Sequence, residues 1–507
     1  MSQATGSAVE GIPRFSSYTV VSMRLPGGGH AILNAITGAL DVVPDELGAS
    51  LSAAFRDRSD SAPWMLDSAR TQEIAAALPP ETLLDFIARG HVTTLPLEAE
   101  REIVREIALA THEVQARRPQ FMIVPTLDCN YRCTYCFERP LQNGLRVLNS
   151  EIGYARQNVV LTLDQIAPIF SAVATIKRSV EAPPGGQIIL YGGEPLDVRN
   201  AAVVAAIVER GRQDGFTFAA VTNGHDLDHF LPLLGRGHIE VIQISIDGPQ
   251  AVHDRRRVHI GRESSFEAIV RNIPQALEET DVEIQLRVHL DPANIGRFEE
   301  VLAFFEGRGW TSNPRFVIYA NTVYEKDSAG RVHARLENSA IDDRLRPLIR
   351  RHRNIFSSGP AVHGARALAD VFETGGRFQG RGTYCAANIG NYIFAPDGHI
   401  YACWESVGKS CSRIGQYLGR LSFDETARAH WFGRSVARIP ECLSCAFALV
   451  CGGGCAQYSE YNTGTLYKPY CDDFQRLYSE LLAEEVDSFI EQQRAHCDRE
   501  EVHSAED

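Results

Sequence analysis

Three cysteines, Cys129, Cys133 and Cys136, stand within eight residues of the stretch PTLDCNYRCTYCFERP at 125–140. A disulfide framework would spread its partners along the chain, and a four-cysteine zinc site would place a fourth ligand nearby; this stretch does neither. Three thiolates can instead hold a [4Fe–4S] cluster, whose four irons each take one external ligand, leaving one iron open. An open position distinguishes a reactive metal site from a structural one, and a small chelating molecule can fill it. A zinc knuckle or a set of redox thiols is the competing reading of the same spacing.

A second group obeys its own spacing. Cys385 is followed by twelve residues, Gly398, four more residues and Cys403; then come Cys442, Cys445, Cys451 and Cys455 as CxxCxxxxxCxxxC, and finally Cys471. The 507 residues carry a formal charge of −14 and 44% hydrophobic side chains, a globular composition that argues against a nucleic-acid partner. No apolar run is long enough to span a bilayer, and the first residues, MSQATGSAVEGIPRF, lack a charged and then apolar leader. The expected setting is cytoplasmic, without a membrane partner, where clustered thiols stay reduced and serve metals.

The elements that must position these residues are short apolar runs, each followed by a helical pattern: FMIVPT (121–126), QIILYGG (187–193), FAAVTNG (218–224), VIQISIDG (241–248), VEIQLRVHL (282–290) and PRFVIYA (314–320). Buried parallel strands have this texture, and six βα units predict a partial (β/α)6 barrel, with an open doubly wound sheet as the alternative. Either way the cysteines and the polar residues after each strand meet at the strands' C-terminal ends. Residues 1–118 are expected to form an α/β or winged-helix appendage, with strands about a Gly-rich turn, a helix from near Pro44 and a helical linker. The remaining expected boundaries are a core at 119–325, a helical bridge at 326–384, a cysteine-rich domain at 385–475, and a helix with a polar tail at 476–507.

CxxxCxxC at the end of the first barrel strand resembles the radical S-adenosylmethionine (SAM) enzymes. In that family SAM chelates the open iron and is cleaved to a 5′-deoxyadenosyl radical. The resemblance implies that Tyr135 lies near the adenine. In YGGEP, similar to the family's GGEP, it implies that Gly192 and Gly193 let backbone approach SAM while Glu194 accepts from its ammonium. SIDGPQAVHDRRR resembles the SxDGP…HDxxR stretch of relatives with a second cysteine domain, which puts Ser245 and Arg257 on the SAM carboxylate. Asn223 and Arg287 also stand at strand ends as cofactor contacts.

The later cysteines resemble the SPASM domain, the auxiliary-cluster extension of peptide and protein maturases. The resemblance implies two more [4Fe–4S] clusters, three in all: one on Cys385, Cys403 and Cys455, the other on Cys442, Cys445, Cys451 and Cys471. Some relatives add a fourth ligand to the first of these just before the GxxxxC element, where this chain has none; either Cys411 serves or one iron stays open. Structural zincs are the alternative for the region, and Cys497 reads as a free thiol. The implied activity is maturation of a ribosomally made precursor peptide by a thioether or C–C cross-link, with a leader held by the appendage and electrons from a flavodoxin or ferredoxin. Alternatives are peptide epimerisation, for which Cys411 would be the hydrogen donor, and sulfatase-type formylglycine formation, where relatives carry Asp after the GxxxxC cysteine and this chain has Trp404 and then Glu405. A non-catalytic iron–sulfur carrier or scaffold is the reading from another class.

Overall fold

The computed structural model describes residues 11–56, 63–138, 160–349, 351, 355–357, 364–365, 367–368, 371–372 and 378–504, with side chains followed to Arg494. Cys497 lies outside the described side chains.

The six expected strands form, within a residue or three of their predicted bounds: Gln120–Ile123, Gly186–Leu190, Phe216–Thr222, Ile239–Ser245, Glu283–Leu290 and Phe316–Thr322. They pair in parallel and in chain order. The barrel is open. Ile355–Ser357 adds in parallel beyond the sixth strand, and Asn391–Phe394 adds in parallel to the first. From there His399–Tyr401, Arg413–Gln416 and Ser422–Phe423 continue antiparallel, giving eleven strands in one sheet. Asn391–Phe394 thus lies between the strand that leads to Cys129 and the strand that leads to Cys403.

The strands are not apolar on both faces, as their sequence texture suggests. In Glu283–Leu290 burial alternates strictly: Ile284, Leu286, Val288 and Leu290 pack under the helices, while Arg287 and His289 face a cavity. A period of two sends alternate side chains to opposite faces, so one strand serves both core and site.

Three expectations are corrected. The bridge is not wholly helical: it opens with a hairpin, Tyr324–Lys326 against Val332–Ala334, before the helix Asn338–Ile349. The polar tail is not a separate coil, because the helix from Phe474 runs to Ser504. The appendage has a three-stranded antiparallel sheet, Thr19–Arg24, His30–Asn34 and Leu40–Val43, and its core is not its own. Phe15, Tyr18, Ile32 and Leu51 share one apolar cluster with Val436–Cys451 and with Leu477–Val486 of the last helix. The Tyr18 hydroxyl donates to the Leu443 carbonyl, and the Ala446 amide donates to the Trp64 carbonyl at 2.9 Å.

Candidate active site and cysteine centres

Cys129 and Cys133 are buried and Cys136 is half-buried, at the C-terminal end of the first strand. Tyr131–Cys133 forms an antiparallel ribbon with Arg257–His259, setting Arg257 opposite Cys133. The Tyr131 amide donates to Cys129 Sγ at 3.3 Å. Beside the triad a cavity of about 420 Å³ opens, reached by Gly192, Gly193, Glu194, Asn223, Ser245, Arg257 and Arg287. The predicted cofactor residues therefore converge.

Their contacts differ in part from expectation. A Cβ on Gly192 would lie 2.4 Å from the Thr126 carbonyl oxygen, and one on Gly193 2.0 Å from that of Asp128. The glycines border the cavity, but the approach they permit is to the chain entering the triad, which the Gly193 and Glu194 amides bind at Thr126 (3.0 Å) and Asp128 (2.9 Å). Glu194 is buried and accepts from the Thr222 hydroxyl at 2.6 Å and from the amides of Asn223 (2.6 Å) and Leu196 (2.9 Å). Burial raises its carboxyl to about 7 against the pull of these donors. Asn223 Nδ2 donates to Asn130 Oδ1 at 2.6 Å.

The Tyr135 hydroxyl joins three groups: it donates to Asp247, receives Nη1 of Arg257 at 2.8 Å, and lies 3.2 Å from His289 Nδ1. Asp247 is fully buried; burial opposes its charge, but His289 and Arg257 hold its carboxyl far below the ordinary range. Arg257 Nε is buried without a partner, a donor available to a ligand. With the Gln243 amide turned to donate to Tyr319, its oxygen accepts from both terminal nitrogens of Arg287, at 3.0 and 3.2 Å.

Part of the lining comes from beyond the six barrel strands. Trp404 stacks on Tyr191, centroids 5.9 Å apart, and Glu405 and Tyr458 face the cavity with Glu138. Burial and the nearby carboxyls of Glu405 and Glu194 raise Glu138 to about 8. Burial also raises Glu405, opposed by Lys326 and Lys409, whose ammonium groups lie 3.6 and 4.7 Å from the Tyr461 ring centroid. Sequence reasoning missed Glu138, Asp247 and His289. Asp247 lies inside the quoted SIDGP and His289 at an alternating polar position of its strand; Glu138, two residues past Cys136, carries no spacing signal.

The seven later cysteines fall into two electrostatic groups. Cys403 feels Cys455 and Cys385; Cys442 feels Cys445, Cys451 and Cys471. Cys411 is exposed. The glycines of CGGGC all take positive φ, 76°, 89° and 72°, and a Cβ on Gly454 would fall 1.7 Å from the Tyr470 carbonyl oxygen. Arg434, fully buried, donates to the carbonyls of Gly453, Gly454, Leu466 and Lys468 and feels the sulfurs of both groups. Its positive charge acts on cysteines of both groups.

Donor spacing tests which group these residues fit. Zinc at bonds of about 2.3 Å would draw its sulfurs to about 3.8 Å from one another. Among the described residues no three cysteine sulfurs lie within 4.8 Å of one another. Sets of three and four thiols are the donors that an iron–sulfur cluster takes. Burial pushes the Cys129, Cys403 and Cys442 thiols well up, so as thiolates they call for a cationic partner.

Comparison with known proteins agrees with this architecture. Residues 123–305 match the Radical SAM superfamily. The chain is 20% identical over 371 residues to a cysteine-type anaerobic sulfatase-maturating enzyme of Clostridium novyi (strain NT), covering 70% of this chain and 93% of that one. It is 24% identical over 380 residues to a serine-type anaerobic sulfatase-maturating enzyme of Klebsiella aerogenes, covering 70% and 83%. The solved structure of native anSMEcpe with bound AdoMet and Cp18Cys peptide superposes with a TM-score of 0.53 at 16% identity, over 75% of this chain and 99% of that one, which shows the fold. Among the described residues no helix is long and apolar enough to cross a membrane.

Proposed function

We propose, on the premise that this chain carries a Radical SAM domain at residues 123–305 and is a homologue of the anaerobic sulfatase-maturating enzymes, that it is a SAM-dependent peptide maturase. The observation that carries the proposal is the cavity itself. Its lining joins Cys129, Cys133 and Cys136 to Trp404, Glu405 and Tyr458, chain neighbours of the later cysteines Cys403 and Cys455. The substrate would be a peptide of a precursor whose leader adds to the exposed edge Leu40–Val43, and the product an intramolecular thioether or C–C link.

Cys129, Cys133 and Cys136 would hold the first [4Fe–4S] cluster. Cys385, Cys403 and Cys455 would hold a second, and Cys442, Cys445, Cys451 and Cys471 a third. When bound, the first cluster and SAM supply a 5′-deoxyadenosyl radical. The protein's own work is positioning. Glu194, ionised, accepts from the SAM ammonium, and Arg257, held by Tyr135, offers its free Nε to the carboxylate; Ser245, Asn223 and Arg287 complete the wall. Glu405 is the base for the substrate proton, with Glu138 beside it to share that proton and Lys326 and Lys409 to favour the ionised state.

The homologues support a second reading, oxidation of a Cys or Ser to formylglycine, in which Glu405 takes the place of the Asp that Trp404 displaces. Mass spectrometry of a candidate precursor after anaerobic reaction with reconstituted enzyme, SAM and reductant separates the two. Loss of two hydrogens with fragmentation blocked between two residues supports the link; a single oxidised residue reactive toward hydrazide supports formylglycine. No 5′-deoxyadenosine above a Cys129→Ala control would sink both.

A further inference from the structure

Outside the cavity, on the other side of the cysteine ribbon, three side chains from separate segments meet. His225 follows the third strand, His259 ends the ribbon, and Glu263 lies in the turn after it. One ligating atom from each lies within 4.8 Å of the other two, and none of the three lines the cavity.

His225 Nε2 stands 3.9 Å from Glu263 Oε2 and 4.0 Å from Asp226 Oδ1. These separations are too long for hydrogen bonds. They are within the span of about 4.2 Å open to two donors that share one ion through bonds of about 2.1 Å. The other nitrogen, Nδ1, is 3.1 Å from the Tyr131 hydroxyl, whose proton can go to the Ser265 carbonyl at 3.5 Å. In the tautomer that donates from Nδ1 to Tyr131, the Nε2 lone pair faces the Glu263 and Asp226 oxygens, the arrangement by which ligating imidazoles are oriented. The His259 ring lies parallel to that of His225, centroids 4.3 Å apart and 16° between planes, and its Nδ1 is buried without a hydrogen-bond partner. The imidazole torsion χ2 is soft, so small rotations bring both rings edge-on to a common point. A lone pair facing a carboxylate is repelled unless a proton or a metal ion stands between them.

The geometry points to a divalent metal site on His225, His259 and Glu263. Two imidazoles with carboxylate oxygens select a zinc-class ion over magnesium or calcium, which prefer oxygen alone. The ion ties the end of the third strand to the ribbon that carries Cys133 and Arg257, through residues that no cluster needs.

The test uses the holoenzyme with its clusters reconstituted, cleared with a mild chelator and titrated with Zn²⁺ alone while iron is followed in parallel. The expected result is one zinc per chain whose X-ray absorption fine structure shows nitrogen and oxygen neighbours, imidazole scattering and no sulfur. His259→Ala and, at an exposed position where folding is not at stake, Glu263→Gln each weaken zinc by at least about 10-fold with iron unchanged. Sulfur in the first coordination sphere, equal zinc affinity in both variants, or no stoichiometric uptake would each overturn the site.

Discussion

Replacing Gly193 by alanine puts a methyl group where the chain leaves no space. Its Cβ would lie 2.0 Å from the Asp128 carbonyl oxygen and 2.5 Å from the carbonyl carbon, against the 3.0 Å that real Cβ contacts respect. Both obstructing atoms are backbone, so no rotamer relieves the clash; the 126–128 segment or the Gly-Gly-Glu turn must move by about 1 Å. That movement pulls on the amide bonds to Thr126 and Asp128 and displaces the next residue, Cys129. Overpacking of this kind costs about 1–3 kcal/mol, which a folded chain of this size survives. A displacement of about 1 Å beside reacting groups costs about 100-fold in rate. The Gly193→Ala enzyme should therefore keep the iron of its C-terminal cysteine groups, lose iron from the first triad, and form 5′-deoxyadenosine about 100-fold more slowly. Gly296→Ala, where nothing lies within 4 Å of the added methyl, is the matched control. Mössbauer spectroscopy with iron analysis and a chromatographic assay of 5′-deoxyadenosine read both effects. Wild-type iron and rate in Gly193→Ala would refute the claim that the turn holds the triad in place.

Other perturbations test other parts of the site. Glu138 is raised to about 8 by burial, so the folded protein holds its proton more tightly than the unfolded chain does. Its contribution to stability is full below the ordinary Glu range and is lost as pH rises toward 8; the melting temperature of Glu138→Gln should rise relative to wild type across that window and then level off, whereas a constant offset would reject the assignment. Tyr135→Phe removes the hydroxyl shared by Arg257, Asp247 and His289, and equilibrium dialysis should find SAM bound about 10-fold more weakly, with equal affinity counting against the network. Cys403→Ala and Cys442→Ala should each remove iron from one C-terminal group alone while 5′-deoxyadenosine still forms; joint loss from both groups would contradict the division of ligands.

The strands and the cysteine spacing were legible because each rests on a local rule: short apolar runs separated by helical patterns, and thiols at intervals that chain geometry restricts. What lay hidden depends on distant packing. Glu138 has meaning only once Glu405 is brought near it, and Arg434 only once cysteines of both groups are. The glycines of YGGEP were legible as a close approach, but not the object approached, because Asp128 is 65 residues away in sequence. The added strand Asn391–Phe394 escaped notice because NYIF is too short to stand out beside the cysteines around it.

The core that the appendage shares with residues 436–486 also sets an order of events during biosynthesis. Tyr18 leaves the ribosome more than 400 residues before its partner Leu443 exists. At about 5–20 residues per second that interval is roughly 20 to 85 seconds, during which the part of the N-terminal core that packs on residues 436–486 has no partner. That part of the core stays open to solvent until the last helix arrives. A fragment ending before residue 436 should therefore aggregate, and the region proposed to receive the leader becomes competent only in a finished chain.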